Sequence, residues 1–168
     1  MSQTVLLVID VQNDYFAGGA LPLWNVEPTL ERIERAMLRA RARGLPVVLV
    51  QHLADQGPAF EAGTPGAELH PRILAAAPGA PVVAKRFADG FHQTELERTL
   101  DALGATRLLV AGMMTQNCVT HTAISKAAEK YEVVILPDCC TTVSELIHQV
   151  ALRAVATRLE LVPSEQAL

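Results

Sequence analysis

Three residues of this chain have the chemistry of a nucleophile, a base and a cation, and these are Cys118, Asp10 and Lys85. Cys118 follows an apolar run and a short turn, at the point where the pattern predicts a helix starting near Asn117. A helix N-terminus carries unpaired N–H donors and positive potential, so we expect the thiol to ionise more easily there. The same N–H groups could stabilise an oxyanion. A small buried cysteine at a strand–helix junction is the alternative interpretation.

Asp10 and Lys85 each end an apolar run, where a buried charge needs a partner. Asp10 could accept the thiol proton and later deliver it to a leaving group. Lys85 would keep Asp10 ionised and would favour the thiolate through its positive charge. Taken singly, Asp10 could instead cap a turn, and Lys85 could be a solvated residue at a strand end. The three residues together favour a Cys–Asp–Lys catalytic set.

Alternating strands and helices must position these residues. The apolar runs predict six strands, over Thr4–Asp10, Pro46–His52, Pro81–Arg86, Arg107–Ala111, Glu132–Leu136 and Leu159–Val162. Helices are predicted from Asn25 to about Arg43, over Glu68–Ala76, from Thr94 to Gly104, from about Asn117 to Lys130, and from Thr142 to about Arg158. Thr94 and Thr142 each begin a capping box and are the predicted caps of their helices. This alternation predicts a three-layer α/β/α fold with a six-stranded, mainly parallel sheet. Ligands of such sheets bind beyond the carboxyl ends of the strands, where all three candidate residues fall.

The overall composition bounds the class of protein. The chain has 168 residues, which suits one domain spanning 1–168, and a net charge of −4, which argues against a nucleic-acid surface. The N-terminal apolar run is too short for a membrane span and lacks the basic flank of a signal peptide. We therefore expect a cytoplasmic protein with no membrane partner. Its three cysteines, Cys118, Cys139 and Cys140, offer neither a disulfide framework nor a zinc site.

Four segments, in this order along the chain, resemble the isochorismatase-like cysteine hydrolases, the superfamily of nicotinamidases and N-carbamoylsarcosine amidohydrolase. They are LLVIDVQNDYF ending at residue 16, KRFADGFHQTEL at 85–96, GMMTQNCV at 112–119 and VVILPDCC at 133–140. The resemblance implies a Rossmann-like sheet of strand order 3-2-1-4-5-6, with Asp10, Lys85 and Cys118 as the catalytic triad. It also implies a non-proline cis peptide at Met114–Thr115, which would aim the backbone N–H groups of Met114, Thr115 and Cys118 at the substrate oxygen.

The resemblance further implies that Phe16 and Phe91 line or border the substrate pocket, although either could equally be a packing residue. Trp24, near the same edge, could line the pocket or pack at a subunit interface. Because the superfamily is usually oligomeric, we expect a homo-oligomer. In the implied strand order, strands one and three are two spacings apart, about 10 Å. Lys85 must therefore be carried inward by its own length and by the chain that follows strand three.

The chain departs from the superfamily pattern at the metal site. Nicotinamidases carry an Asp-x-His motif after strand two, whereas this chain has Val50-Gln51-His52 there. Asp55 and His70 lie nearby in sequence without forming a recognisable ligand set. We therefore predict no catalytic metal and no cofactor, which weakens the nicotinamidase interpretation. True isochorismatases cleave a vinyl ether and lack the nucleophilic cysteine, so Cys118 favours the amide-hydrolysing branch.

These observations predict an amidohydrolase, an enzyme that cleaves a small amide or a related non-peptide C–N bond through a covalent thioester. Its partner would be a small-molecule substrate. One alternative is a catalytically idle, small-molecule-binding scaffold of the same fold, against which the intact triad argues. The other alternative is a thiol redox sensor using Cys118 with Cys139 or Cys140. The absence of CxxC spacing argues against that sensor.

Overall fold

The computed structural model describes residues 3–168 and is built on a six-stranded sheet in which all neighbouring strands are parallel. The strands are β1 (Gln3–Ile9), β2 (Val47–His52), β3 (Val82–Lys85), β4 (Ala105–Met113), β5 (Glu132–Thr141) and β6 (Glu160–Leu161), in the order β3-β2-β1-β4-β5-β6. The predicted α/β class, strand number and strand order are confirmed. Met1 and Ser2, which the predicted 1–168 domain includes, lie outside the described residues.

Helices cover both faces of the sheet. One face packs against α1 (Val26–Ala42), α2 (Pro71–Ala76) and α6 (Ser164–Ala167), and the other packs against α3 (Leu96–Ala102), α4 (Thr120–Ala123) and α5 (Glu145–Val155). Side chains alternate along β1, so that Leu6 and Val8 join the first core and Leu7 and Ile9 join the second. Two apolar cores therefore hold the central strands from both sides. None of the described helices is both long and apolar enough to cross a bilayer.

Strands β4 and β5 are longer than the apolar runs predict. β4 continues through Gly112 to Met113, and β5 continues through Pro137 to Thr141. A register shift between Val110 and Gly112 lets the two strands pair again at their ends. Glycine and proline usually interrupt strands, which is why the sequence pattern ends both too early. The extension moves the turn that follows β4 two residues further along the chain.

The single helix predicted over Asn117–Lys130 is wrong. The chain instead forms a π-helical segment over Thr115–Val119, then α4, then a 3-10 turn over Lys126–Lys130. Ser125 separates the last two pieces because its backbone is extended and its hydroxyl donates to Asp89 Oδ2 at 2.7 Å. Polar side chains of this kind compete with helical hydrogen bonding.

Two predicted capping positions have different outcomes. The Thr94 hydroxyl accepts from the Leu96 amide at 3.2 Å, in agreement with its assignment to helix capping. At α5 the cap is Ser144, which accepts from the Ile147 amide at 3.4 Å. Thr142, the predicted cap of α5, does not cap the helix. It precedes the helix and donates its hydroxyl to Gln116.

Candidate active site

The sheet reverses its winding at β1, which pairs with β2 on one side and with β4 on the other. Asp10 directly follows β1, and its amide donates to the carbonyl of Val50 in β2 at 2.9 Å. Its φ of 53° lies in the left-handed region, which aspartate tolerates better than most residues. The helical turn that carries Cys118 follows the neighbouring β4. The structure thus places both residues at the topological switch point, where ligands bind in this architecture.

The Lys85 ammonium contacts both of the other predicted residues, Asp10 and Cys118. Its nitrogen lies 2.7 Å from Asp10 Oδ2, 3.1 Å from Cys118 Sγ and 3.1 Å from His52 Nδ1. Asp10, Lys85 and Cys118 are 0%, 2% and 3% exposed, respectively, so solvent does little to screen these interactions. The structure therefore brings the whole predicted set into contact, with Lys85 at its centre.

The side chain of Lys85 spans the neighbouring strand, β2, to reach Asp10. It is the last residue of β3 and is paired in register with His52 of β2, so β2 lies between Lys85 and Asp10. Its side chain extends past His52, and its ammonium also donates to the Phe87 carbonyl at 3.1 Å. Because Lys85 itself stays in β3, the length of its side chain alone spans the gap, and the chain after β3 contributes only the Phe87 carbonyl.

Burial and charge oppose each other at the Asp10–Lys85 pair. Burial raises the pKa of Asp10 above its usual value, and the nearby Lys85 charge offsets only part of that rise. Burial alone would lower the pKa of Lys85, but the interactions of its ammonium with Asp10 and Cys118 outweigh burial and raise the pKa. Neither oxygen of Asp10 accepts a well-directed hydrogen bond from the described residues, although Lys85 lies at ion-pair distance. The carboxylate therefore retains lone pairs that can take a proton.

The expectation that Cys118 ionises easily is wrong for the resting site. Burial, followed by the negative charge of Asp10, raises the pKa of the Cys118 thiol to about 12, although Lys85 acts in the opposite direction. The helical segment begins at Thr115 instead of near Asn117, so Cys118 is its fourth residue. The thiol is therefore protonated at neutral pH, with Asp10 as the nearby base.

The cis peptide lies one residue earlier than expected, at Met113–Met114 instead of Met114–Thr115. β4 stays in the sheet through Met113, so the chain turns immediately after that residue. The close fit of this strand end depends on Gly112, where an added Cβ would lie 2.0 Å from the carbonyl oxygen of Ile9. Gly112 also has a φ of 127°, which side chains rarely adopt. Only glycine lets β4 approach the residue before Asp10 this closely.

Thr115 opens the helical turn and is fixed from the far side by α5. Its hydroxyl lies 2.8 Å from Nδ1 of His148, which is buried. Burial lowers the pKa of His148, so this contact involves the neutral ring. His148 carries no signal for this role in the sequence, because no local pattern connects residues 33 positions apart. The amides of the first turn, which the sequence assigns to an oxyanion site, lie in this segment with Met114 just before it.

Gln12 and His52 support Lys85. The Gln12 side chain donates to the His52 carbonyl at 2.8 Å and accepts from the His52 amide at 2.8 Å, extending the strand pairing by one link. Burial, followed by the Lys85 charge, lowers the pKa of His52. A neutral His52 can accept a hydrogen bond from the Lys85 ammonium through Nδ1. The position of His52 at the end of β2, on the ligand-binding edge, was the only sequence signal for this role.

Asp10, His52 and Cys118 are also the residues that could hold a metal, since their ligand atoms lie within 4.8 Å of one another. The Lys85 ammonium contacts all three, so a metal ion there would have to displace it. Asp55 instead pairs with Arg86, and His70 packs on Phe16 and accepts from the Arg72 amide. These contacts favour an interpretation in which the lysine is the resident cation.

The three predicted pocket residues lie in different surroundings. Phe16 is buried with its ring 4.5 Å from that of His70, and Phe91 is buried with its ring stacked 6.1 Å from Tyr131. Tyr131 precedes β5 at the opposite edge of the sheet, which favours the packing interpretation of Phe91. Trp24 is half-buried with its ring 6.0 Å from that of His148.

A cavity of about 140 Å³ borders the Lys85 end of β3. Its lining includes Leu53, which follows β2, and Phe87 and Gln93 from the segment after β3. Leu53 lies in no motif, and Phe87 and Gln93 lie in the 85–96 segment without a charge that would mark them as functional. They are candidates for contacts to the part of a ligand that does not react.

The site and sheet together define an α/β protein of the doubly wound type, with a buried thiol, carboxylate and ammonium at its switch point. Comparison with known proteins identifies the family within this class. The family model of the isochorismatase domain matches residues 4–166. The chain belongs to the isochorismatase family.

Individual relatives agree with this assignment. The uncharacterized isochorismatase family protein YddQ of Bacillus subtilis is 33% identical over 141 residues, covering 83% of this chain and 78% of the relative. The ureidoacrylate amidohydrolase RutB of Methylobacterium radiotolerans is 31% identical and covers 92% of this chain and 73% of its own length. A solved structure from Oleispira antarctica, described as an isochorismatase hydrolase, superposes with a TM-score of 0.89 at 32% identity, covering 99% and 96% of the two chains.

Proposed function

We propose that this protein hydrolyses the C–N bond of a small amide by covalent catalysis at Cys118. The observation that carries the proposal is the buried Lys85 ammonium, which contacts Asp10 Oδ2 and Cys118 Sγ simultaneously. This arrangement gives a nucleophile, a base and a charge that holds both in place. A relative that is named an amidohydrolase, RutB, supports a C–N bond as the target.

The first half-reaction would form a thioester. Asp10 takes the thiol proton while Cys118 Sγ attacks the carbonyl carbon, so a free thiolate need not accumulate. This agrees with the raised pKa of the thiol. The carbonyl oxygen becomes an oxyanion, which backbone N–H groups of Met114, Thr115 and Cys118 would stabilise. Asp10 then returns its proton to the departing nitrogen, and the C–N bond breaks.

The second half-reaction would restore the enzyme. Asp10 removes a proton from water, and the resulting hydroxide attacks the thioester carbonyl. The C–S bond breaks, and the proton on Asp10 returns to Cys118. The balance is one amide and one water consumed, with one acid and one amine or ammonia released. Lys85 keeps its proton throughout and stabilises the charge as it moves between Asp10 and Cys118.

A small substrate fits the confined surroundings. Cys118 is nearly sealed from solvent, and the cavity beside Lys85 has only about 140 Å³, below the range of drug-sized pockets. We further propose that Leu53, Phe87 and Gln93 contact the non-reacting part of the substrate. The proposed reaction needs no bound metal, because Lys85 supplies the positive charge.

The test is a panel of small primary amides, ureides and carbamoyl compounds, assayed for release of ammonia or amine. Cys118→Ala and Cys118→Ser should each lose at least about a thousandfold in kcat/KM on any compound that is turned over. Undiminished activity of Cys118→Ala would contradict the mechanism. Tight binding without turnover of any compound would support the idle-scaffold alternative, and a loss of two hydrogens on mild oxidation would support the redox alternative.

A further inference from the structure

A cavity of about 420 Å³ lies between α5, β5 and β6. We call it the α5 cavity, and it shares no lining residue with the smaller cavity beside Lys85. Its apolar lining includes Pro137 of β5, Leu152 of α5 and Leu161 of β6. Its volume lies in the range that small-molecule sites occupy. The α5 cavity is therefore large enough for a ligand and is separate from the cavity already described.

His148 is the most deeply buried polar residue of this lining, with only 6% of its surface exposed. Its Nδ1 lies 2.8 Å from the Thr115 hydroxyl, whereas its other ring nitrogen, Nε2, has no hydrogen-bond partner among residues 3–168. Buried polar groups are nearly always paired, so an unpaired nitrogen points to a missing partner. Because Nδ1 is directed at Thr115, Nε2 is the ring nitrogen left for the α5 cavity. A ligand bound there would supply the missing partner.

The free charge in the lining of the α5 cavity is positive. Arg153 is exposed and forms no ion pair with another residue in the described range 3–168. The one acid of the lining, Asp138, already accepts hydrogen bonds from the Ser164 amide at 2.8 Å and from the Ser164 hydroxyl at 2.6 Å. Asp138 also lines a second groove, which contains three arginines of α1. The charge of Asp138 is thus compensated by its surroundings, while that of Arg153 is not.

We propose that the α5 cavity binds the anion of a small aliphatic carboxylic acid. The carboxylate accepts a hydrogen bond from Nε2–H of His148 and lies in the field of the Arg153 guanidinium, and hydrogen bonds to a charged acceptor are stronger than neutral ones. The alkyl chain packs on the apolar lining, where each buried methylene adds to the affinity. A neutral His148 suits this role, and burial does lower the pKa of its ring.

His148 connects the α5 cavity to the active-site turn. A carboxylate at Nε2 requires the proton of the neutral ring to be on Nε2, which leaves Nδ1 as the acceptor for the Thr115 hydroxyl. Thr115 opens the helical segment that carries Cys118 three residues later. The ligand and the Thr115 hydroxyl therefore stabilise the same form of His148, so each strengthens the other. The ligand site itself does not depend on the proposed hydrolase activity.

The first test measures binding of hexanoate by NMR titration, with hexan-1-ol as the uncharged probe of the same chain length. Hexanoate should bind at least about tenfold more tightly than hexan-1-ol, and Arg153→Gln should weaken hexanoate binding by about tenfold. Arg153 is exposed, so this variant should keep its fold, which circular dichroism checks. Arg158→Gln is the matched control, because Arg158 lies outside the α5 cavity and should not affect binding. Absence of hexanoate binding, equal affinities for the two probes, or equal affinities of the two variants would overturn the proposal.

The second test locates the bound acid. Hexanoate should shift the Nε2 resonance of His148 in nitrogen NMR spectra and leave its proton on Nε2, with His148→Phe identifying the signal. Protein alkylated at Cys118 should bind hexanoate within about twofold of the unmodified protein, because the α5 cavity remains open. A bound form with the proton on Nδ1, or loss of binding after alkylation of Cys118, would overturn the assigned site. Neither measurement requires turnover, so a failure here is distinguishable from a failure of the proposed hydrolysis.

The third test examines the connection through His148. Thr115→Val keeps the shape of the side chain but removes the hydroxyl that donates to Nδ1, so it should weaken hexanoate binding by about threefold. Thr99→Val, at an exposed position of α3, is the matched control and should bind hexanoate as the wild type does. Circular dichroism checks the fold of both variants. Equal hexanoate affinities of the two variants would overturn the connection between the α5 cavity and the active-site turn.

Discussion

The Lys85 ammonium nitrogen lies 2.7 Å from Asp10 Oδ2, although β2 separates β3, which ends at Lys85, from β1, which Asp10 follows. Both side chains are excluded from solvent. Removing an ammonium and a carboxylate from water is costly, and only close pairing compensates for it. The protein maintains this pair beside a cysteine, which is a reason to connect it with reactivity instead of stability.

Replacing Lys85 by Met should destabilise the protein by about 3–5 kcal/mol, because it leaves the Asp10 carboxylate buried without its partner. Urea unfolding measures the loss. The double variant Lys85→Met/Asp10→Asn should be more stable than Lys85→Met, since no buried charge remains.

Lys126→Met is the matched control for that prediction. Lys126 pairs with Glu129 at an exposed site, where ion pairs contribute little, so its loss should leave the unfolding midpoint almost unchanged. Equal stabilities of the Lys85 and Lys126 variants would show that the Asp10–Lys85 pair is not coupled as the structure indicates.

The reactivity of Cys118 toward a small alkylating reagent should rise with pH without levelling off near neutrality. Burial and the Asp10 charge raise the pKa of its thiol to about 12. The thiolate fraction, and with it the alkylation rate, should therefore increase about tenfold per pH unit between pH 7 and 10. Peptide mass spectrometry would assign the rate to Cys118, with Cys118→Ala as the blank. A plateau above pH 8 would contradict the raised pKa.

Asp10→Asn should separate thiol reactivity from catalysis. The negative charge of Asp10 raises the pKa of Cys118, whereas Lys85 lowers it. Removing the carboxylate should therefore speed alkylation at pH 8, while amide hydrolysis falls by at least about a hundredfold because the base is lost. If alkylation and hydrolysis fall together, the negative charge of Asp10 does not control the reactivity of the thiol through its pKa.

His52 should act as a positioning residue for Lys85, since its Nδ1 lies 3.1 Å from the ammonium. His52→Leu should lower kcat/KM by about tenfold, the usual effect of losing a group that orients a reacting side chain. His52→Gln, which retains a hydrogen-bond acceptor, should recover part of that loss. Equal activities of the Gln and Leu variants would limit His52 to a packing role.

Gly112→Ala should be strongly destabilising, because the added Cβ would lie 2.0 Å from the Ile9 carbonyl oxygen. We expect a loss of about 3 kcal/mol or more in the free energy of unfolding. Gly104→Ala is the control, since Gly104 also has a positive φ but has open space around its Cβ position. That variant should cost only about 1 kcal/mol. Equal losses at both positions would mean that the backbone conformation, and not the contact with Ile9, restricts Gly112 to glycine.

The sheet could be predicted from the sequence because its central strands are buried on both faces and appear as continuous apolar runs. The positions of Asp10 and Lys85 followed directly, since each ends such a run. Their approach across β2 required only the known spacing of strands and the length of a lysine side chain. These are local patterns combined with a general rule of parallel sheets.

The turn before Cys118 could not be predicted in the same way. Gly112 suggests a strand end, yet its backbone remains paired because β4 packs against Ile9 and re-registers with β5. The cis bond is therefore displaced to Met113–Met114. The ionisation of Cys118 depends on how deeply it is buried, and the support of Thr115 by His148 joins distant parts of the chain. Such properties arise from tertiary packing and leave no local trace.

The most direct measurement of the central claim is intact-mass spectrometry after rapid acid quenching of a turnover reaction with a small amide. The wild type should show a transient mass increase equal to the acyl part of the substrate, and digestion should locate it on the peptide containing Cys118. Cys118→Ala should show neither the adduct nor turnover. Sustained turnover by Cys118→Ala, with no acyl adduct on the wild type during turnover, would contradict covalent catalysis by Cys118.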